Sequence, residues 1–136
     1  MDGLLLFAHG ARDPDWAKPF KEVARRIALS RPQLPLRLAY LEFMQPELEG
    51  AARELVAQGC RRIHIVPMFL GTGGHVRRDI PPLLERLRQE CGPTVEWHLH
   101  AALGEQETVI QAMTASSLAW LDAPTAEAQA QAQAQA

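Results

Sequence analysis

Residues 62–81 read Arg-Ile-His-Ile-Val-Pro-Met-Phe-Leu-Gly-Thr-Gly-Gly-His-Val-Arg-Arg-Asp-Ile-Pro, and they decide the fold class. The stretch begins as a near-continuous apolar run, turns through glycines and enters a segment with helical spacing. Such a run suits a strand covered on both faces, as in a parallel sheet. The same pattern recurs along the chain. Apolar runs over 3–8, 36–41, 62–68 and 95–100 are strand candidates, and helical spacing fills the segments between them. Strand–helix alternation of this kind marks a parallel α/β domain.

The intervening segments carry their own start and stop signals. A first helix is expected over 15–29, capped by Asp13 or Asp15 with Pro14 in its first turn, and with Phe20, Val23, Ala24 and Ile27 facing inward. A second is expected over 46–58, with Leu48, Ala51, Ala52 and Leu55 inward and Gly59 as its left-handed stop. A third starts near Val76 or Pro81 and ends by Cys91, before Gly92-Pro93. A fourth covers 105–121. The expected architecture is a small, open, four-stranded parallel sheet of order 2-1-3-4 flanked by helices, a flavodoxin-like half-unit joined by right-handed crossovers. Residues 1–123 read as one α/β domain. Residues 124–136 read as a low-complexity, disordered Ala/Gln tail without an apolar stripe.

Composition narrows the function classes. Of 136 residues 47% are hydrophobic, enough for a core without disulfides or a structural metal. Formal net charge is −2, so nothing favours a nucleic-acid binder. The first apolar run is too short for a signal peptide, and no stretch approaches the roughly 20 apolar residues of a membrane span. The expectation is a cytoplasmic protein with no membrane partner. Cys60 and Cys91 form no CxxC pair and read as reduced thiols in or near the core.

In open α/β sheets ligands bind beyond the carboxyl ends of the strands, where the strand order reverses. Strand one ends at His9 and strand two near Glu42, while His75 stands just past the glycine turn after strand three. Equal sequence steps separate the three, which fits equivalent places in successive βα units. Two neutral imidazoles and a carboxylate suit a borderline divalent metal, and the same trio suits acid–base work. The turn Gly71-Thr72-Gly73-Gly74 places three glycines in four residues. That costs folding entropy unless unusual backbone angles or close ligand approach require it. It is neither GxGxxG nor a P-loop, which leaves little support for nucleotide binding. Arg12 and Lys18 follow His9, and Arg77 and Arg78 follow His75, giving a cationic rim suited to a polyanion. His64 reads as a packing or interface residue. His98 and His100 share one side of strand four, with His100 nearer the site.

The strings FAHGARDPDW, AYLEFMQPEL, IVPMFLGTGGHVRRDIP and AALGE, in this order, resemble the short CbiX-type sirohydrochlorin chelatases of the class II chelatase group, over roughly residues 3–110. Many relatives carry an acidic or histidine-rich insertion or tail, where this chain has Ala and Gln. The resemblance implies insertion of a divalent metal (Co²⁺, Fe²⁺ or Ni²⁺, as substrate and not as prosthetic group) into sirohydrochlorin, in cobalamin or sirohaem biosynthesis. It implies His9 and His75 as metal-binding and catalytic residues, with Glu42 as third ligand or base. Arg12, Arg77, Arg78 and the amides of Gly71, Thr72, Gly73 and Gly74 would receive the carboxylates of the tetrapyrrole. Longer relatives hold two such domains in one chain, so a homodimer is expected. A non-catalytic metal or tetrapyrrole carrier, and a phosphate-ligand enzyme on the same fold, are the alternatives.

Overall fold

The computed structural model describes residues 1–123 and 133–134, apart from the side chain of His75. The tail expected over 124–136 thus lies, but for two residues, outside the described part. Four strands, β1 (Asp2–Ala8), β2 (Leu36–Tyr40), β3 (Arg62–Pro67) and β4 (Glu96–Leu99), form one sheet of order β2-β1-β3-β4. Every neighbouring pair is parallel, as the apolar runs imply. The helices are α1 (Lys18–Ser30), α2 (Leu48–Ala57), α3 (Gly74–Cys91) and α4 (Glu107–Asp122), with short 3₁₀ turns at Pro14–Ala17 and Leu103–Glu105. Met1–Gly104 forms one compact unit and contains the whole sheet; Glu105–Ala136 forms a second, which contains α4.

One sheet face carries the main core. Leu5 and Phe7 of β1, Ile63 and Ile65 of β3 and Trp97 of β4 pack with Leu48, Ala51, Ala52 and Leu55 of α2 and with Val76, Ile80, Leu84 and Leu87 of α3. Leu5, Phe7, Leu55, Ile63, Ile65 and Leu87 are fully buried, each contributing roughly 1.5–3 kcal/mol of transfer free energy. Helix α2 matches its expected inward stripe. Its stop does too: Gly59, at φ 103°, donates to Val56 O while Cys60 donates to Leu55 O, the paired bonds of a Schellman cap.

Three expectations need correction. Asp13 caps the 3₁₀ turn by accepting from the Asp15 N–H, and α1 proper begins only at Lys18. Its apolar stripe is incompletely covered: Phe20, Ala24 and Ile27 are half-buried and Val23 is exposed. Helix α3 begins earlier than Val76 or Pro81, at Gly74, so both prolines lie inside it and His75 sits in its first turn. Both cysteines are free, Cys60 buried and Cys91 partly so.

The second sheet face is divided. Its β2/β1 half packs Ala8 and Tyr40 against Ala17, Trp16 and Phe20. Its β3/β4 half carries His64, His98 and His100. His64 Nδ1 lies 2.9 Å from His100 Nε2, the two rings lie 12° from parallel, and the His98 ring stacks on His64 at 5.1 Å. Burial, then the neighbouring His100 and His98, hold the His64 imidazole below its ordinary value of 6.5. The unfolded chain therefore takes up that proton first as pH falls, and stability declines as pH drops below 6.5 until the folded-state value is passed.

The ladder of β1 continues past its last residue. The carbonyls of Phe7, Ala8 and His9 accept from the amides of Met68, Leu41 and Glu42, at 2.8, 2.9 and 3.1 Å. Gly10 follows at φ 92°, and a Cβ there would strike the Glu42 carbonyl. Gly10→Ala is therefore expected to cost about 2–4 kcal/mol in urea unfolding, from left-handed strain plus a backbone clash. His64→Gln is expected to flatten the decline of the urea midpoint between about pH 7 and 5.

Candidate functional site

The continued ladder fixes where the side chains at the sheet's carboxyl edge stand. His9 leaves β1 as Glu42 leaves β2, and the bond from the Glu42 amide to the His9 carbonyl holds the two residues side by side. Their side chains meet: His9 Nε2 is 3.1 Å from Glu42 Oε1. A carboxylate oxygen accepts, so the ring nitrogen donates in this contact. Both side chains are close to half exposed, at 47% and 46%, and open to a ligand. The ring of Phe69, on the segment after β3, meets the His9 ring edge-on at 6.2 Å.

The segment after Glu42 is unusual. Met44 N donates to Glu42 O across 2.8 Å, and Phe43 between them has φ 65°. This is a γ-turn of the positive-φ kind, which is rare and strained. The exposed Phe43 ring carries the Arg12 guanidinium 4.9 Å from its centroid. The sequence gives no sign of this, because an aromatic residue is among the last expected at positive φ.

The backbone of His75 lies in the first turn of α3, after the glycine segment. Gly71, Gly73 and Gly74 all have negative φ, and a Cβ at any of them would meet open space. Unusual backbone angles therefore do not account for these glycines; room for a ligand to approach the backbone does remain. Elsewhere a Cβ would strike backbone at Gly10, against the Glu42 carbonyl, and at Gly104, against Leu70, while Gly59 and Gly92 are held to glycine by positive φ. Thr72 and Arg77 help to line a pocket of about 210 Å³ with Phe69, Val76, Ile80 and Leu99.

Charge pairing separates the rim from the rest. Arg25, Arg26, Arg37, Arg53, Arg62, Arg86 and Arg88 each pair with a carboxylate. Among the described residues Arg12, Arg77 and Arg78 have no such partner, and Arg78 instead donates to Gly74 O at 3.2 Å. Arg31 and Arg61, away from this edge, also lack one, although Arg61 donates to backbone carbonyls. Lys18 differs from its rim neighbours and pairs with Asp15 at 3.2 Å. His100 is turned to His64 along the sheet face. Among the described residues no three His, Cys, Asp or Glu side chains are arranged to hold a metal ion, and no helix is long and apolar enough to cross a membrane.

The arrangement at the strand ends is thus a half-exposed imidazole–carboxylate pair, a histidine-bearing helix start and unpaired cations. The family model CbiX matches residues 3–118. A sirohydrochlorin cobaltochelatase from Saccharolobus islandicus (strain L.S.2.15 / Lassen #1) is 36% identical over 116 residues, 80% of this chain and 88% of that protein. The protein of the same name from Saccharolobus solfataricus is 35% identical over the same shares. Among solved structures, a cobalamin (vitamin B12) biosynthesis CbiX protein from Marinobacter aquaeolei VT8 superposes with a TM-score of 0.78 at 29% identity, covering 90% of this chain and 98% of that one. SirB from Bacillus subtilis with Fe³⁺ shares the fold at a TM-score of 0.69 and 24% identity; the match spans 82% of this chain and 44% of SirB. With a family match over nearly the whole described chain and relatives above one-third identity, this chain belongs to the CbiX family.

Proposed function

We propose that this chain is a sirohydrochlorin chelatase that inserts Co²⁺ or Fe²⁺ into the macrocycle, and that it works as a cytoplasmic homodimer. The observation that carries the reading is the His9–Glu42 pair, half exposed at the carboxyl edge of the sheet and neighboured by the unpaired Arg12. The names of the relatives supply the substrate.

The chemistry demands three things of the protein. A hydrated divalent ion must exchange water for weak, reversible ligands. Two pyrrole N–H protons must find acceptors. A highly anionic macrocycle must be held over the ion. His9 and Glu42 serve the first two. Their N···O separation of 3.1 Å is close to the roughly 3 Å between adjacent donors on an octahedral ion with bonds of about 2.1 Å. The pair can therefore take an ion in place of the shared proton without large rearrangement. Once the ion moves to the ring nitrogens, the freed imidazole and carboxylate are bases beside the leaving protons. His75 supplies a further nitrogen from the start of α3. Arg12, Arg77, Arg78 and the amides of Gly71, Thr72, Gly73 and Gly74 receive carboxylates, and no ion pair of these arginines among the described residues need be broken to do so.

The homodimer reading rests on length. The match to this fold takes up 44% of the SirB chain, which leaves room there for a second unit of similar size. A two-fold pair is the commonest way for a soluble chain to supply the second copy.

Anaerobic incubation with sirohydrochlorin and Co²⁺ or Fe²⁺ should shift the tetrapyrrole absorption faster than the uncatalysed reaction. Tight binding of either ligand without turnover would instead favour a carrier. His9→Ala is expected to lower the rate about 100-fold or more, and Glu42→Gln about tenfold or more. Unchanged rates would remove these residues from the site. Light scattering at micromolar concentration should give twice the 15.1 kDa protomer mass; a fully active monomer would refute the dimer.

A further inference from the structure

Phe43 is the part of this edge that the reading above leaves unused. The residue is 57% exposed, although nothing about folding rewards an aromatic there. Its backbone is left-handed, φ 65°, a state in which a bulky residue is strained and glycine is not. Glycine would hold the same turn at lower cost, so neither the turn nor the core accounts for the ring.

The surroundings indicate a ligand of particular chemistry. Phe43 directly follows Glu42, which bonds His9, so the ring stands next to the proposed ion-handling pair. The Arg12 guanidinium lies against it, 4.9 Å from the centroid. A hollow of about 300 Å³ opens beside them, bordered by Arg12, Lys21, Tyr40, Phe43 and Met44. Neither Arg12 nor Lys21 pairs with a carboxylate among the described residues. A flat apolar surface with adjacent unpaired cations matches a flat conjugated ring that carries carboxylates at its rim.

We propose that Phe43 is a stacking platform for the face of the tetrapyrrole, with Arg12 beside it taking a peripheral carboxylate. The proposal rests on the chelatase reading. In the free protein the guanidinium occupies the ring face through a cation–π contact, a weak interaction at an exposed site that a macrocycle can displace. The released Arg12 then meets the negative edge of the ligand that displaced it. Phe43 thereby sets substrate affinity and orientation, and takes no part in holding the ion.

Phe43→Gly tests the ring separately from the turn, because glycine suits the left-handed backbone. Four measurements are made on the full chain under anaerobic conditions: sirohydrochlorin affinity by fluorescence titration, Co²⁺ affinity by calorimetry, steady-state chelation kinetics, and the urea midpoint. Phe43→Gly is expected to weaken sirohydrochlorin binding about tenfold or more, as loss of an aromatic stacking partner does elsewhere. KM should rise with kcat little changed, while Co²⁺ affinity and the urea midpoint hold or improve. Phe43→Tyr should bind as the parent chain does. A Phe43→Gly protein with parental sirohydrochlorin affinity would overturn the proposal, as would a parallel loss of Co²⁺ affinity or of stability. If the parent chain itself fails to bind sirohydrochlorin, the chelatase reading falls, and that result is plain before any variant is compared.

Discussion

Parallel strands have no tight turn between them to fix their heights, so the height at which each connecting loop leaves the sheet must come from the ladder itself. Here the ladder runs past the end of β1. Three successive carbonyls, from Phe7, Ala8 and His9, accept from the segments that follow β3 and β2. The site depends on this extension. It brings the Glu42 backbone against Gly10, where only glycine leaves room, and so sets His9 and Glu42 within one hydrogen bond. Register within the sheet comes from burial. Leu5, Phe7, Ile63 and Ile65 all turn to the same covered face, and a one-residue slip would expose them together. The core and the site are two outcomes of a single register.

Electrostatics works by allocation. The chain is slightly negative overall, yet its arginines are unevenly committed. Those on α1, α2, β2, β3 and the later turns of α3 are held by carboxylates. Exposed pairs of this kind contribute little stability, so their pairing is of less interest than its interruption near the strand ends. Among the described residues, an anion arriving at Arg12 or Arg77 has no carboxylate to displace, only the Phe43 ring face at Arg12. Such an edge attracts carboxylates without making the whole surface cationic.

Much of this was legible in the chain. The apolar runs predicted four parallel strands and right-handed crossovers their order, because short apolar runs bounded by turn signals are local patterns; coverage of both faces did not follow, since β3 and β4 are buried on one face only. The α2 stripe and its Gly59 stop were readable for the same reason. His9 and Glu42 could be placed at one edge from topology alone, and their pairing through the ring nitrogen and one carboxylate oxygen follows that placement. Other features were hidden. The early start of α3 was obscured by Gly73, Gly74 and the two prolines, all poor helix formers by propensity. The glycines of that turn suggested special backbone angles or close ligand approach, whereas a Cβ would strike backbone at Gly10 and Gly104, whose partners, the backbones of Glu42 and Leu70, lie far away in sequence. The left-handed Phe43 has no local signature, since its γ-turn is closed by the loop that the β1 ladder holds in place. The imidazole contact between His64 and His100 depends on the register of β3 against β4, and alternation alone assigns only a shared face.

The two prolines inside α3 have a consequence in backbone accounting. Neither Pro81 nor Pro82 has an N–H, so the carbonyls of Arg77 and Arg78 receive no bond from the residue four places on. Helix α3 is therefore continuous in shape but interrupted in its bonding, and the interruption falls just after its first two turns. Those turns carry His75, Arg77 and Arg78. They are moored in the core by Val76 and Ile80, both buried. The cationic turn is in effect a short cassette clipped to the core by two apolar side chains.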